Sequence, residues 1–268
     1  MLAGVNGIPV MGLGTFGLTG ADGLLAMSSA IATGYRHVDT AQSYGTEENV
    51  GRAIAESGLP REDLFVTTKI TETNLSRIGD SIDDSLKTMG LDYADLVLIH
   101  WPAQNDTPPV SSYVGELARA QDQRKTRLIG VSNFTRRHID EAIEVLGEDR
   151  IATNQVERHV FQQNHTLAGH CAARGICITA YLPMVRGQLD DPVIARIATS
   201  HDATASQIAL AYLLALGSVV IPKSGNAERQ RSNFAATGIT LEDDEIAALR
   251  TLDRGERHID PDIAPDWD

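Results

Sequence analysis

Short apolar, β-branched runs alternate along the chain with stretches whose apolar positions recur every three or four residues. The runs are YRHVD (35–39), LFVTTK (64–69), ADLVLIH (94–100), RLIGVSN (127–133), ATNQVE (152–157), ICITAY (176–181) and SVVIPK (218–223). Each reads as a strand, and nearly continuous ones such as LVLI read as strands buried on both faces. Between them, Val50, Ala53 and Ile54 form a stripe behind Thr46 as a helix cap, and Ile78, Ile82, Leu86 and Met89 form another that stops at Gly90. TRRHIDEAIEVLG, NHTLAGHCAARG and TASQIALAYLLALG repeat the arrangement, each ending at glycine. Strand and helix in alternation predict βαβ units and a parallel sheet. An eighth strand would close a (β/α)8 barrel, and its weak signal falls at TGI (237–239), ahead of TLEDDEIAALRTL. At the other end of the chain, Asn6-Gly7 between short apolar runs predicts a two-residue hairpin that plugs the bottom of the barrel.

A doubly wound sheet is the competing architecture. Its dinucleotide-binding form needs G-x-G-x-x-G directly between the first strand and its helix. GLGTFG (12–17) has the spacing, but it lies between the hairpin and a loop, and no such motif follows YRHVD.

Composition narrows the function. A length of 268 residues suits one barrel domain, and 42% hydrophobic with 22% charged residues suits a packed core. The net charge of −13 excludes a broad nucleic-acid surface, so any phosphate site must be local. No apolar stretch is long enough to span a membrane, and MLAGVNGIPVMGLG lacks the basic region of a leader, so a cytoplasmic protein is expected. Cys171 and Cys177 have no partners at zinc spacing and are expected as buried free thiols, with no metal.

On a barrel, the strands end at one rim, where such folds carry their chemistry. The rim residues are Asp39, Lys69, His100, Ser132 with Asn133, Gln155 with Glu157, Tyr181 and Lys223, and all are polar. Tyr44 lies in the loop after Asp39. Lys69 is the only lysine at the first three strand ends, and Asp39 can pair with it. An ammonium near a phenol favours phenolate, so Lys69 is expected to lower the pKa of Tyr44 from its ordinary value of about 10.

These segments resemble the aldo-keto reductase family. GYRHVDTAQSYGTEENVG is similar to its first signature, LVLIHWP to its third strand, IGVSNF to its fourth, NQVERH to its fifth and VIPKSGNAERQRSNF to its cofactor signature, in order over nearly the whole chain. DPDIAPDWD further resembles the bacterial 2,5-diketo-D-gluconate reductase B type. The resemblance implies NADPH-dependent reduction of aldehydes and ketones by a tetrad of Asp39, Tyr44, Lys69 and His100, with Tyr44 as proton donor. It implies cofactor contacts at Thr15, Phe16, Asp39, Ser132, Asn133, Gln155, Tyr181, Pro183, Lys223, Ser224, Arg229 and Asn233. Phe16, Tyr44, His100 and Trp101 are implied at the substrate. Ser232 stands where the family commonly has glutamate or glutamine, and Leu182 where serine is common, each removing a possible polar contact to the cofactor.

Substrates expected on this reading are small carbonyls such as methylglyoxal or 2,5-diketo-D-gluconate, acted on by a monomer. LPMVRGQLDD and the short tail after Arg257 are expected to leave the pocket mouth open, with Arg186 placed to attract an anionic sugar acid. Two rival readings keep the barrel. A Schiff-base aldolase would use Lys69 as nucleophile but leaves Ser132, Asn133, Lys223 and Arg229 unexplained. An NADPH-sensing regulatory subunit would bind the cofactor without turnover.

Overall fold

The computed structural model describes residues 4–268, so Met1–Ala3, the first residues of the stretch inspected for a leader, lie outside the described residues. The chain opens with the hairpin β1 (Gly4–Val5) and β2 (Ile8–Pro9), paired antiparallel. Its turn residues Asn6 and Gly7 both have positive φ, 51° and 79°, as a two-residue hairpin of this hand requires. Eight parallel strands follow: β3 (Leu13–Gly14), β4 (His37–Asp39), β5 (Phe65–Ile70), β6 (Ala94–Ile99), β7 (Thr126–Ser132), β8 (Ile151–Glu157), β9 (Cys177–Tyr181) and β10 (Val219–Val220). The order in the sheet is sequential from β3 to β10.

The helices are α1 (Gly20–Thr33), α2 (Glu47–Glu56), α3 (Ile78–Met89), α4 (Val114–Asp122), α5 (Arg136–Leu146), α6 (His165–Ala172), α7 (Pro192–Ser200), α8 (Ala205–Ala215), α9 (Ala227–Ala235) and α10 (Asp243–Arg250). The sheet closes on itself. Gly12 N–H donates to Val220 O at 2.9 Å, Val220 N–H to Val10 O at 2.9 Å, and Gly14 N–H to Pro222 O at 3.2 Å. The closing strand is therefore β3, at the start of the chain, and not 237–239, whose TGI lies at the end of a 3-10 turn (Ala236–Gly238) and just beyond it. Leu13–Gly14 sits in the glycine-rich MGLGTFG, whereas the equally short β10 shows through the β-branched run SVVIPK, which is why the hydropathy pattern hid β3. GLG owes its glycines to this closure: a Cβ on Gly12 would lie 2.6 Å from His37 Nδ1, and one on Gly14 2.8 Å from Ile221 O.

Alternation divides the core into two layers. Leu96 and Leu98 of β6 point into the barrel with Phe65, Ala152, Cys177, Val219 and Ile221, while Val97 and Ile99 pack outward under the helices. Ile8 of the hairpin belongs to the inner cluster, and Asn6 Nδ2 donates to Ala152 O at 2.9 Å and Gly175 O at 2.6 Å, at the starts of β8 and β9. The hairpin thus covers the N-terminal end of the barrel and leaves the opposite rim for chemistry.

Candidate active site

Asp39 ends β4, Lys69 is the penultimate residue of β5, and His100 follows β6, so three adjacent strands bring these groups to one place. Asp39 and Lys69 are almost wholly buried. Lys69 Nζ donates to Asp39 Oδ1 at 2.5 Å and to Thr40 O at 2.8 Å. The other carboxylate oxygen of Asp39 accepts from Gln155 Nε2 at 2.8 Å. Full pairing on this scale is what makes two buried charges tolerable.

Tyr44 ends the 3-10 turn Gln42–Tyr44 that follows β4. Lys69 Nζ is 4.9 Å from its ring centroid, and its hydroxyl is 3.4 Å from His100 Nε2. A threonine chain fixes this loop: Thr46 Oγ1 lies 2.8 Å from Thr40 Oγ1 and 3.1 Å from Thr15 Oγ1. Thr46 therefore occupies the cap position of α2 but spends its hydroxyl on the loop, not on the helix.

The electrostatics differ from the expectation in one respect. Burial pushes the Tyr44 phenol up, and the Lys69 ammonium pulls it back only in part, so it lies above its ordinary value and stays protonated at neutral pH. Burial pulls Lys69 down, but the Asp39 charge and the Tyr44 phenol outweigh it and hold the ammonium above the usual lysine range. A lysine held charged is no Schiff-base nucleophile. Burial and then the Lys69 charge bring His100 down to about 3, so its ring is neutral at physiological pH.

Around this centre, Asn133 adopts the left-handed conformation (φ 60°) at the end of β7, and its side chain is tied on every side. Its Nδ2 donates to His100 O at 3.0 Å and Ser132 Oγ at 3.1 Å, and its Oδ1 accepts from Tyr181 OH at 3.0 Å. Ser132 Oγ donates to Gln155 O at 2.8 Å. Ser132, Asn133, Gln155 and Tyr181 thus form one polar shelf beside the tetrad. Pro183 is buried just beyond it, and Leu182 between them has φ 54°. Thr15 is buried and donates to Asp39 O at 2.9 Å, whereas Phe16 beside it is 69% exposed with its ring edge-on to Tyr44 at 5.1 Å.

Lys223 and Arg229 lie on the exposed side of the same rim, Lys223 three residues beyond β10 and Arg229 in the first turn of α9. Asn226 caps that helix by accepting Arg229 N–H at 2.9 Å. Among the described residues neither cation has a salt-bridge partner within 4.0 Å. Ser224 and Asn233 are buried nearby. Two unpaired cations at a helix N-terminus suit a phosphate.

A model of the aldo/keto reductase family matches residues 10–254. The chain belongs to the aldo-keto reductase family. It is 43% identical over 265 residues to the methylglyoxal reductase DkgB of Yersinia pestis, covering 97% of this chain and 99% of the relative. Among solved structures, it superposes with TM-score 0.93 on a protein provisionally named 2,5-diketo-D-gluconic acid reductase B, at 38% identity over 98% of this chain and 95% of the other. The aldose reductase of Schistosoma japonicum gives TM-score 0.89 at 31% identity over 94% and 91% of the two chains. As an aldo-keto reductase it is an oxidoreductase acting on carbonyl and alcohol groups.

Two features of this reductase's rim went unread in the sequence. Glu157 is a rim residue, but its carboxylate is occupied: it accepts His258 N–H at 2.8 Å, Ile259 N–H at 2.7 Å and His159 Nε2 at 3.0 Å. The tail held there does not leave the mouth open on all sides. Trp267 near its end packs edge-on against Trp101, ring centroids 6.1 Å apart, and Trp101 adjoins His100. Arg186 is exposed on a tight turn with φ 55°. The signal for this contact was the aromatic of DWD (266–268). The two cysteines are buried free thiols, and burial pushes Cys171 up to about 12, which leaves it unreactive. Among the described residues no cluster of metal-ligating side chains occurs, and no helix is long and apolar enough to cross a membrane.

Proposed function

We propose that this protein is an NADPH-dependent carbonyl reductase in which Tyr44 protonates the oxygen of an aldehyde or ketone. The observation that carries the reading is the buried Lys69–Asp39 pair beneath a protonated Tyr44 whose hydroxyl lies 3.4 Å from a neutral His100. The residues present fit the cofactor: an anchored polar shelf of Ser132, Asn133 and Gln155 for a carboxamide, the Tyr181 ring for the nicotinamide face, and Lys223, Ser224 and Arg229, with no acidic partner on either cation, for a 2′-phosphate. On this reading Thr15, Pro183 and Asn233, all buried, complete the cofactor contacts. When bound, NADPH supplies the hydride that the carbonyl carbon accepts.

The chain's own groups handle the charge. As negative charge grows on the carbonyl oxygen, an N–H of the neutral His100 ring holds that oxygen, and the Tyr44 hydroxyl delivers its proton to it. The phenolate left behind faces the Lys69 ammonium, whose own charge is balanced by Asp39. A phenol pKa above the ordinary value keeps the donor loaded at neutral pH, and the lysine limits the cost of unloading it. Phe16 and Trp101 supply apolar walls, and the substrates that best suit the relatives' chemistry are methylglyoxal and 2,5-diketo-D-gluconate. We read the enzyme as a cytoplasmic, monomeric, single-domain protein.

A panel of methylglyoxal, 2,5-diketo-D-gluconate and aromatic aldehydes, followed by the absorbance of NADPH, tests the proposal. Turnover of at least one carbonyl with NADPH preferred over NADH is expected. Tight NADPH binding with no turnover of any of them would instead identify a regulatory binder.

A further inference from the structure

The residues after α10 are held by more bonds than a trailing end needs. Arg254 and Glu256 donate their backbone N–H groups to Phe161 O at 3.2 and 3.0 Å, and the Arg254 guanidinium stacks 3.9 Å from the Phe161 ring centroid. The next two free N–H groups, of His258 and Ile259, both enter the carboxylate of Glu157. That carboxylate is wholly buried. A buried charge accepting two backbone N–H groups and a histidine is a strong, directional clamp. Beyond it, Asp262 O accepts from Gln104 Nε2 at 3.0 Å and Asp268 accepts Arg136 N–H at 2.7 Å, so the segment crosses the rim from β8 to the start of α5. Along this strap Arg257 stacks 3.6 Å from the Trp267 ring centroid, Trp267 Nε1 donates to Asp260 Oδ1 at 2.7 Å, and Trp267 meets Trp101.

We infer that Glu157 is a positioning residue for substrate selection: its carboxylate clasps the 258–259 backbone and thereby sets the strap on which Trp267 completes an aromatic wall beside Trp101. The inference rests on the reductase reading only in saying what the wall faces. Glu157 touches no group of the tetrad, and its hydrogen-bonding capacity is spent on the strap and on His159. The clasp acts through geometry, so its loss moves the wall and leaves the proton donor where it is. A ring-bearing carbonyl can stack on the wall, whereas methylglyoxal has no ring to place against it.

Glu157→Gln tests this with little change of shape. The amide keeps one acceptor but turns a donor toward N–H groups, so at least one bond of the clasp is lost. The chain has only two tryptophans, Trp101 and Trp267, so emission excited where tyrosine does not absorb reports the wall alone. The expected result is a red-shifted emission that acrylamide quenches more readily, together with a KM for an aromatic aldehyde raised about tenfold, the worth of one aromatic contact, while the KM and kcat for methylglyoxal stay within about twofold. Trp267→Ala, which leaves the clasp intact, should raise the aromatic-aldehyde KM by a similar factor, and the double variant should add little more. Unchanged tryptophan emission in Glu157→Gln would overturn the clasp, and equal changes in KM for both substrates would overturn the wall. If the wild-type protein reduced no carbonyl, the reductase reading would fall while the emission comparison still decided the clasp.

Discussion

At the scale of single residues, the site is a set of groups whose pKa values are pushed apart. Tyr44 is raised and His100 lowered to about 3, so across the neutral range one is a loaded proton donor and the other an uncharged hydrogen-bonding ring. Tyr44→Phe removes the proton and keeps the ring against Phe16 and His100. Single-turnover reduction should slow by about 10²–10⁴-fold, the usual worth of a general acid, while NADPH affinity and thermal stability stay near wild type. On the proposed mechanism the protonated phenol is the active form, and since its pKa is raised the wild-type rate should be flat through neutral pH and fall only on the alkaline side of the ordinary tyrosine value. His100 should add no limb near pH 6.5, since it titrates near 3. A variant that kept the wild-type single-turnover rate and alkaline limb would remove Tyr44 from the role and direct attention to His100.

At the scale of elements, the contacts between helices decide where the catalytic loop sits. Gly51 lies in the middle of α2, where glycine ordinarily costs about 1 kcal/mol relative to alanine, so Gly51→Ala would be stabilising on propensity alone. The structure reverses the sign. A Cβ at Gly51 would lie 1.9 Å from Met89 O, at the end of α3, and backbone has little room to yield. Overpacking should outweigh propensity and destabilise the protein by about 1–3 kcal/mol, seen as a lower midpoint in urea. A neutral or stabilised variant would mean that α2 and α3 separate freely. The same scale shows what the sequence could disclose. Seven of the eight strands were legible because each lies in an apolar, β-branched run, the two-residue β10 within SVVIPK included, and α2, α3, α5, α6 and α8 were legible from apolar stripes or glycine stops. β3 was not, since Leu13–Gly14 lies in a glycine-rich stretch with no β-branched run and is defined by its neighbours Val38 and Asp39 and by the closing bonds to β10. The positions of Asp39, Lys69 and His100 were legible as polar ends of apolar runs, and Tyr44 through the resemblance of its loop to the family's first signature. The threonine chain and the Glu157 clasp were not, because they depend on partners 31 and 101 residues away.

At the scale of the whole molecule, the proposed function requires a chain of net charge −13 to bind a dinucleotide that is itself an anion. Long-range repulsion then acts against NADPH more than against NADH, which lacks the 2′-phosphate, and only a local field of the opposite sign can invert the preference. Lys223 and Arg229 are placed to provide it: both are exposed, neither has an acidic partner within 4.0 Å among the described residues, and Arg229 sits in the first turn of α9, whose N-terminus adds partial positive charge. Replacing either by alanine should therefore weaken NADPH by about 1.5–3 kcal/mol, the worth of a charge-assisted contact, and leave NADH nearly unchanged. Salt separates this from a change of shape. Screening weakens exposed charge pairs, with a Debye length of about 10 Å at 0.1 M, so the wild-type preference for NADPH should narrow as ionic strength rises. In the variants that preference should be small at the outset and nearly insensitive to salt. Titration of both cofactors against wild type, Lys223→Ala and Arg229→Ala at two salt concentrations measures it. Equal losses for NADPH and NADH would place the 2′-phosphate elsewhere on the rim.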